Sequence, residues 1–249
     1  MNRDLADYQE QYSKQPYEKY QVAFRKRKLK EILARYRHNR LLEVGCGLES
    51  IFLDVDTYEQ MVIVEPAAIF YEKALQDAAQ MPGKDITVVN ALLEDAGAAI
   101  AGRNYDMVLV SSLLHEIPDQ QRFLGTVHGL CGPDTVVHIN VPNARSFHRL
   151  LAVEMGLIKS EFTPSDSNIL FQQHTVFDED LLCRVVQQAG FEVVESGSYS
   201  FKPFTHGQLQ KMIDAGLITE AMLDGFYKME RYLPHLCSEI YVNVKKQKA

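Results

Sequence analysis

The sequence contains no run of about 18 apolar residues of the kind a bilayer-spanning helix needs, and its first residues, Met1 to Asp7, are too polar for a secretory leader. It reads as a soluble, cytoplasmic chain. Cysteine is scarce and scattered: Cys46, Cys131, Cys183 and Cys237 lie far apart beside apolar neighbours, with no Cys-x-x-Cys pair. Reduced, mostly buried thiols are expected rather than disulfides or a zinc site. An excess of basic charge is lacking too. With 26 Lys and Arg against 33 Asp and Glu, the chain is not built mainly to hold a polyphosphate backbone, although a local basic surface is compatible with that sum. No internal repeat, low-complexity stretch or interdomain linker interrupts the 249 residues. At 46% apolar and 24% charged, they are enough for one domain with a substantial core and no disorder.

What is present is organised around Leu41 to Ser50, which reads Leu-Leu-Glu-Val-Gly-Cys-Gly-Leu-Glu-Ser. An apolar run closing on Glu43 and then on Gly45 and Gly47 is a buried strand turning abruptly into a ligand-holding loop. Ahead of it, residues 1–38 form an N-terminal arm and helix. The arm is polar, rich in tyrosine (Tyr8, Tyr12, Tyr17, Tyr20) and interrupted by Pro16, and the helix carries Leu29, Ile32, Leu33 and Tyr36 at helical spacing. Arg25, Lys26, Arg27, Lys28 and Lys30 crowd this helix. A solvated face is the expected reading, and a patch for nucleic acid or an acidic substrate is the other.

Residues 39–141 form the expected ligand-binding core, in which strand and helix alternate. The strands are Met61 to Val64, Asp85 to Val89, Tyr105 to Val110 and, after a turn at Gly132 to Asp134, Thr135 to Val141. The helices are Ala67 to Ala79, carrying Ile69, Phe70, Ala74 and Leu75, then Leu92 to Ile100 and Gln120 to Leu130. Residues 142–175 hold too much polar and aromatic material for a plain connection and read as an insertion over the strand ends. Residues 176–249 contain a helix N-capped by Asp178, with Leu181, Leu182, Val185 and Val186 buried and Gly190 closing it. A sixth strand from Phe191 to Tyr199 follows, then a helical insertion at 203–236 in two pieces parted near Gly216, then a last strand from Ser238 to Val244. The expected fold is a single α/β domain, doubly wound, with a mostly parallel sheet and helical insertions over the strand C-termini.

Ligands of such sheets lie beyond the strand C-termini, where Glu43, Glu65, Asn90 and Ser111 gather. A dinucleotide is a poor match. The third glycine of the NAD pattern is missing, and Glu43 and Glu49 would repel a pyrophosphate. A cation without phosphate fits better, and S-adenosylmethionine is one: it carries a sulfonium, an ammonium, a ribose diol and an adenine. Glu43 then faces the amino acid end, while Gly45 and Gly47 admit close backbone approach. Glu65, followed by Pro66, accepts the ribose hydroxyls, and Asn90, Ala91 and Leu92 border the adenine. Glu49, Ser111 and Tyr20 complete the cofactor-side candidates, and Tyr20 with Tyr12 reads equally as a closing lid or as plain packing.

Four motifs in order carry a family resemblance: Glu-Val-Gly-Cys-Gly at 43–47, Val-Glu-Pro at 64–66, Asn-Ala-Leu-Leu-Glu at 90–94, and the stretch from Tyr105 to Asp119 that ends Leu-Leu-His-Glu-Ile-Pro-Asp. Over roughly Leu41 to Val141, and more weakly from Asp178 to Tyr199, the chain resembles the class I S-adenosylmethionine-dependent methyltransferases. That resemblance implies a Rossmann-like methyltransferase fold of seven strands, the last of them inserted antiparallel. The stretches at 141–151 and 202–206 are similar to small-molecule methyltransferases associated with cell-surface polysaccharide biosynthesis. This implies methyl transfer to an oxygen, or less readily a nitrogen, of a small polar metabolite such as a sugar or glycan precursor. Two departures stand out. Glu49 replaces the usual third glycine, which alters the loop's path, and Ala91 replaces an aspartate, which leaves the adenine to backbone groups. No metal is expected, because Ser111-Ser112 stands where the metal-assisted, catechol-type relatives carry an aspartate. The Asn/Asp-Pro-Pro-Tyr element of nucleobase methyltransferases is also missing, so neither nucleic acid nor membrane is an expected partner. A cofactor-binding module without catalysis and a nucleic-acid methyltransferase are the remaining alternatives.

Methyl transfer from a sulfonium is an in-line displacement, so alignment supplies much of the rate, and a hydroxyl acceptor adds the need for a base. His115 is the first candidate base, with Glu116 holding its ring or acting alone. His148 is the second, within a polar cluster of Asn143, Arg145, His148 and Arg149. If His148 and Arg149 face inward they bind an acceptor carrying hydroxyls or a phosphate; if outward they are surface helix residues. Gln173, His174, Tyr199 and His206 are candidates for the same wall. His138, inside the fifth strand, reads as a hydrogen-bonded core or rim residue.

Overall fold

The computed structural model describes residues 16–248, so Tyr8 and Tyr12 lie outside the described residues. Five strands run parallel: β1 (Arg40–Val44), β2 (Gln60–Val64), β3 (Asp85–Val89), β4 (Tyr105–Ser111) and β5 (Cys131–Pro142). β6 (Phe191–Phe201) and β7 (Cys237–Lys246) complete a seven-stranded sheet in the order β3-β2-β1-β4-β5-β7-β6, with β7 antiparallel to both of its neighbours. Period-2 alternation sorts the apolar side chains into two cores, one on each face. Leu42, Val44, Val62, Val64, Val108 and Val110 join one, and Leu41, Met61, Ile63, Met107 and Leu109 the other.

The helices cover both faces. α1 (Glu18–Leu33) buries Phe24, Leu29, Ile32 and Leu33 in the second core. α2 (Ala68–Ala79) follows β2, and α3 (Gln120–Leu130) starts where the Asp119 side chain accepts the Arg122 N–H at 3.0 Å. The insertion holds α4 (Phe147–Glu154) and α5 (Asp166–Leu170). α6 (Glu179–Gln188) is capped by Asp178, which accepts the Leu181 N–H at 2.8 Å, and Gly190 leaves it at φ +85°. α7 (His206–Asp214) and α8 (Glu220–Lys228) are N-capped by Thr205 and Thr219 and are parted at Gly216, φ +69°.

Three local expectations need correcting. Residues 92–100 form two 3-10 turns, Leu93–Asp95 and Gly97–Ala99, instead of a helix, because Gly97 takes φ +45° and ends any right-handed run there. On α2 only Phe70 and Ala74 are buried. They share one face four residues apart, while Ile69 and Leu75 turn outward. The basic run of α1 is not a solvated face. Lys26 pairs with Glu49 and Asp54, Arg27 with Asp224, and Lys28 with Glu230, so the charges dock the helix onto the glycine loop and the C-terminal insertion.

On the outer strand pair Gly197 lies opposite Tyr241 in register, and a Cβ there would meet the Tyr241 hydroxyl oxygen at 2.7 Å. The ring covers the glycine in the way cross-strand aromatics do, and its hydroxyl donates to Glu195 at 3.0 Å. Gly197→Ala is expected to cost roughly 1–3 kcal/mol by overpacking. Urea unfolding checks this, and an unchanged midpoint would mean that the ring turns aside freely.

Candidate active site

A continuous cleft of about 2020 Å³ opens along the C-terminal edge of the parallel strands. Its β1–β2 side is built from carboxylates and a glycine loop. Glu43, near the tip of β1, is buried; it accepts the Ser50 hydroxyl and the Ile51 N–H, the latter at 3.3 Å. Burial pushes its carboxyl up to about 7, against the lowering effect of those two donors and of the Lys26 charge. Gly45 at φ +75° and Gly47 at φ +58° take the loop through the left-handed region, and no atom lies within 4 Å of a Cβ built on Gly47. Glu65, just past β2, accepts the Gly47 N–H at 3.2 Å through Oε2 and the Ala67 N–H at 2.9 Å through Oε1. Two backbone donors thus fix a buried carboxylate on the wall of the cleft.

This donor set fits S-adenosylmethionine and opposes a phosphate. Glu43 would face the ammonium and Glu65 would accept the ribose hydroxyls, and the bare glycine loop allows close approach. Pro66 and Leu92 line the same wall, and Ser111 donates to Asn140 at 2.7 Å beside it. Asn90 acts one step back, donating from Nδ2 to the carbonyls of Glu65 at 2.9 Å and Pro66 at 3.2 Å. It shapes the loop without lining the cleft, and Ala91 does not line it either. Glu49 reaches the rim, but Lys26 pairs with it at 2.8 Å, so its charge ties α1 to the loop. Tyr20 lies outside the cleft, packed against Tyr17 with ring centroids 5.4 Å apart.

The other half of the edge comes from β4, β5, β6 and β7. His115 and Glu116 follow β4 in a 3-10 turn, both buried and both lining the cleft, with His115 Nε2 3.7 Å from Glu116 Oε1. The His115 carbonyl accepts the N–H groups of His174 at 2.9 Å and Thr175 at 3.2 Å, which straps the end of the insertion to the β4 turn. His148 faces the cleft, as does His206, whose Nε2 lies 2.8 Å from Lys202 Nζ. Burial and the neighbouring positive charges hold both imidazoles well below their usual range, His206 at about 2. The same burial brings Lys202 down to about 8, opposed by Glu239 and Glu18.

Several candidates on this side do other work. Arg149 spends its guanidinium on the carbonyls of Glu161 and Thr163, at 2.8 and 2.6 Å from Nη2, and on Asn168 at 3.4 Å, pinning the insertion instead of clamping an acceptor. Asn143 donates to the carbonyls of Cys237 at 2.9 Å and His235 at 3.3 Å and accepts the Arg145 N–H at 2.9 Å, which joins the end of β5 to the start of β7. The His174 side chain is exposed and off the cleft, and it is Gln173 that lines it. Tyr199 is buried in the core beneath the edge. His138 is a core residue, 2.7 Å from Asn243 Oδ1. Lys202 and Glu239 escaped notice as individual side chains. The readable signal for Glu239 is that it is the lone carboxylate in the last strand, Ser238 to Val244.

A seven-stranded Rossmann-like sheet with a carboxylate-lined nucleoside cradle at β1 and β2 defines the class. A family model described as a methyltransferase domain matches residues 13–196. Similar solved structures include the [4+2]-cyclase SpnF, 15% identical, with 89% of this chain and 82% of that one covered at a TM-score of 0.62. An S-adenosylmethionine-dependent methyltransferase from Clostridium acetobutylicum is 7% identical, with 91% and 92% covered at a TM-score of 0.58. The N-methyltransferase NodS from Bradyrhizobium japonicum, solved with S-adenosyl-L-homocysteine, is 9% identical, with 94% and 90% covered at a TM-score of 0.55. At such identities the likeness establishes the fold. No curated protein matches in sequence. The chain belongs to the methyltransferase-domain family, and its methyl donor is S-adenosylmethionine.

The raised carboxyl of Glu43 opposes stability to function. With a folded value near 7 against an ordinary 4.5, the folded state holds this proton more tightly than the unfolded chain. The penalty is therefore absent below about pH 4.5, grows up to about pH 7, and is fully present above it, on the order of 3 kcal/mol. Glu43→Gln is expected to raise the melting temperature at pH 8, with the gain vanishing near pH 4.5. It should also weaken S-adenosylmethionine roughly 10- to 100-fold, the worth of a charge-assisted contact. Thermal melts across pH and calorimetric titration check the two halves, and lower stability at pH 8 would refute the buried-charge account.

Proposed function

We propose that the protein transfers the methyl group to an oxygen, less readily a nitrogen, of a small polar metabolite, a sugar or glycan precursor being the type expected. The observation that carries this reading is the buried His115–Glu116 pair on the acceptor side of a cleft whose other wall fits the donor. When bound, S-adenosylmethionine supplies a methyl on a positively charged sulfur that leaves as a neutral thioether. The chain's own task is to seat the acceptor in line and to take its proton. His115 is the candidate base, and Glu116 is placed to steady the imidazolium that results.

The cleft, at about 2020 Å³, exceeds what one drug-sized ligand fills and leaves room for an acceptor beside the cofactor. The insertion roofs the acceptor side, which suits a small molecule better than a nucleic acid, as does the net charge of -7. No helix among the described residues is long and apolar enough to cross a membrane. With four free cysteines, we infer that the enzyme works in the cytoplasm. A second reading, cofactor binding without methyl transfer, is kept because a neighbour of the same fold is a cyclase.

Incubation with methyl-labelled S-adenosylmethionine and a panel of sugars, sugar nucleotides, amines and RNA tests these readings. Label is expected on a small acceptor, with S-adenosylhomocysteine formed one for one. Label on RNA, or binding without transfer to any acceptor, would overturn the proposal. His115→Asn is expected to lower kcat about 100-fold or more while donor affinity stays unchanged, and retained turnover would move the base elsewhere.

A further inference from the structure

The acceptor half of the cleft holds a buried cation with no counter-ion in contact. Lys202 directly follows β6 and is 7% exposed, and among the described residues no carboxylate lies within 4.0 Å of its ammonium. Its hydrogen-bond partner among the described residues is the imidazole of His206, at 2.8 Å. His206 is itself stacked on the Tyr17 ring with centroids 5.0 Å apart, so its orientation is fixed. An ammonium has three donors, and a neutral imidazole accepts one of them. Beside it, Nδ1 of His148 is buried without any hydrogen-bond partner. Arg149 adds a further positive charge, since its guanidinium is bound to backbone carbonyls and an amide and not neutralised by a carboxylate.

Two carboxylates act on Lys202 without touching it: Glu18, on the cleft lining, and Glu239, opposite Pro142 and Tyr199 in the sheet. Glu239 accepts from Asn140 Nδ2 at 3.4 Å, and burial pushes its carboxyl up, toward the neutral form. Both attract Lys202 from a distance and leave the ammonium's contact positions to something else. A buried charge without a partner, next to an orphaned imidazole nitrogen, is costly for a protein to keep unless a ligand completes it. Lys202, His206 and His148 all line the cleft, so that ligand lies in the acceptor space.

We propose that Lys202 and His148 bind an oxyanion of the methyl acceptor, so that the substrate is an anionic metabolite carrying a carboxylate or a phosphate. This rests on the reading of this half of the cleft as the acceptor site. The ammonium donates its remaining hydrogens to the oxyanion, and His148 donates from Nδ1 as the neutral ring. His206 is a positioning residue that fixes the ammonium from behind. The cleft then offers buried carboxylates to a cationic donor at one end and a buried ammonium to the acceptor's oxyanion at the other.

The test titrates inorganic phosphate, acetate and neutral glycerol into the full chain saturated with S-adenosylhomocysteine, at an ionic strength matched with sodium chloride. Binding is followed by calorimetry and by the ring resonances of His148 and His206. Phosphate or acetate is expected to bind and glycerol not to. Lys202→Met is expected to weaken that anion about tenfold or more, the effect of removing a charge-assisted donor. Lys202→Arg is expected to recover part of the loss, and Lys211→Met, on the exposed face of α7, to change nothing. Preference for phosphate over acetate, or the reverse, identifies the oxyanion. The proposal is overturned if neither anion binds, if Lys202→Met binds as well as the parent, or if Lys211→Met weakens binding equally. S-adenosylhomocysteine affinity is measured on every variant. Its absence in the parent would strike the methyltransferase reading, whereas its persistence beside lost anion binding confines the failure to this proposal.

Discussion

Because helices and loops cover both faces of the sheet, the strands carry apolar side chains on both sides. A charge within a strand needs partners, as Glu195 has in Arg35, Tyr36, Tyr241 and Asn243, so most charge collects where strands stop. That constraint gathers the chemistry at one edge. Glu43 and Glu65 stand at the ends of β1 and β2, Ser111 at the end of β4, and His115 and Glu116 in the turn beyond it. β7 runs against the others, so its starting residues, Ser238 and Glu239, reach the same edge as the ends of β5 and β6. Antiparallel insertion of one strand therefore adds a buried carboxylate to the acceptor half and lets Lys202, leaving β6, arrive beside it.

Charged side chains also set how the edge is enclosed. α1 brings Lys26 to Glu49 and Asp54 on the glycine-loop side, and Arg27 and Lys28 to Asp224 and Glu230 on the C-terminal side. One helix thereby spans the two halves of the cleft, with an apolar stripe below and ion pairs on its flanks. Single exposed pairs contribute little, but Lys28 is buried, so its pairing with Glu230 matters more than a surface bridge would. Arg149 fixes the roof from inside by holding the carbonyls of Glu161 and Thr163.

The parts legible in the sequence were those set by local pattern. Strand runs ending in Glu43, Glu65 and Ser111 placed the edge, and caps such as Asp178 and breaks such as Gly216 placed the helix limits within a few residues. What escaped depends on where a long side chain turns once the fold is made. Arg149 and Asn143 sit in the expected cluster, but nearby carbonyls claim their donors, and no spacing rule reveals that. His174 contributes its backbone to the His115 carbonyl and leaves its ring outside. Glu49 reads in the sequence as part of the cofactor's electrostatics, because its partner Lys26 lies in a helix whose docking the sequence does not announce. β6 shifts register between Val193 and Glu195, and Tyr199 lies beyond that shift in the core that holds Tyr241, not on the wall.

The two carboxylates on one wall and the basic cluster on the other have opposite effects on the two ligands of a methyl transfer. Glu43 and Glu65 favour a cation and, through the cleft, disfavour any anionic acceptor that would settle in the donor's place. Lys202 and its neighbours repel the cationic donor from the acceptor's place in the same way. His115 and Glu116 line the same cleft at the turn after β4, the point at which we place the transfer. Separation of charge along one strand edge aligns donor and acceptor across that point, and alignment is what an in-line displacement most requires.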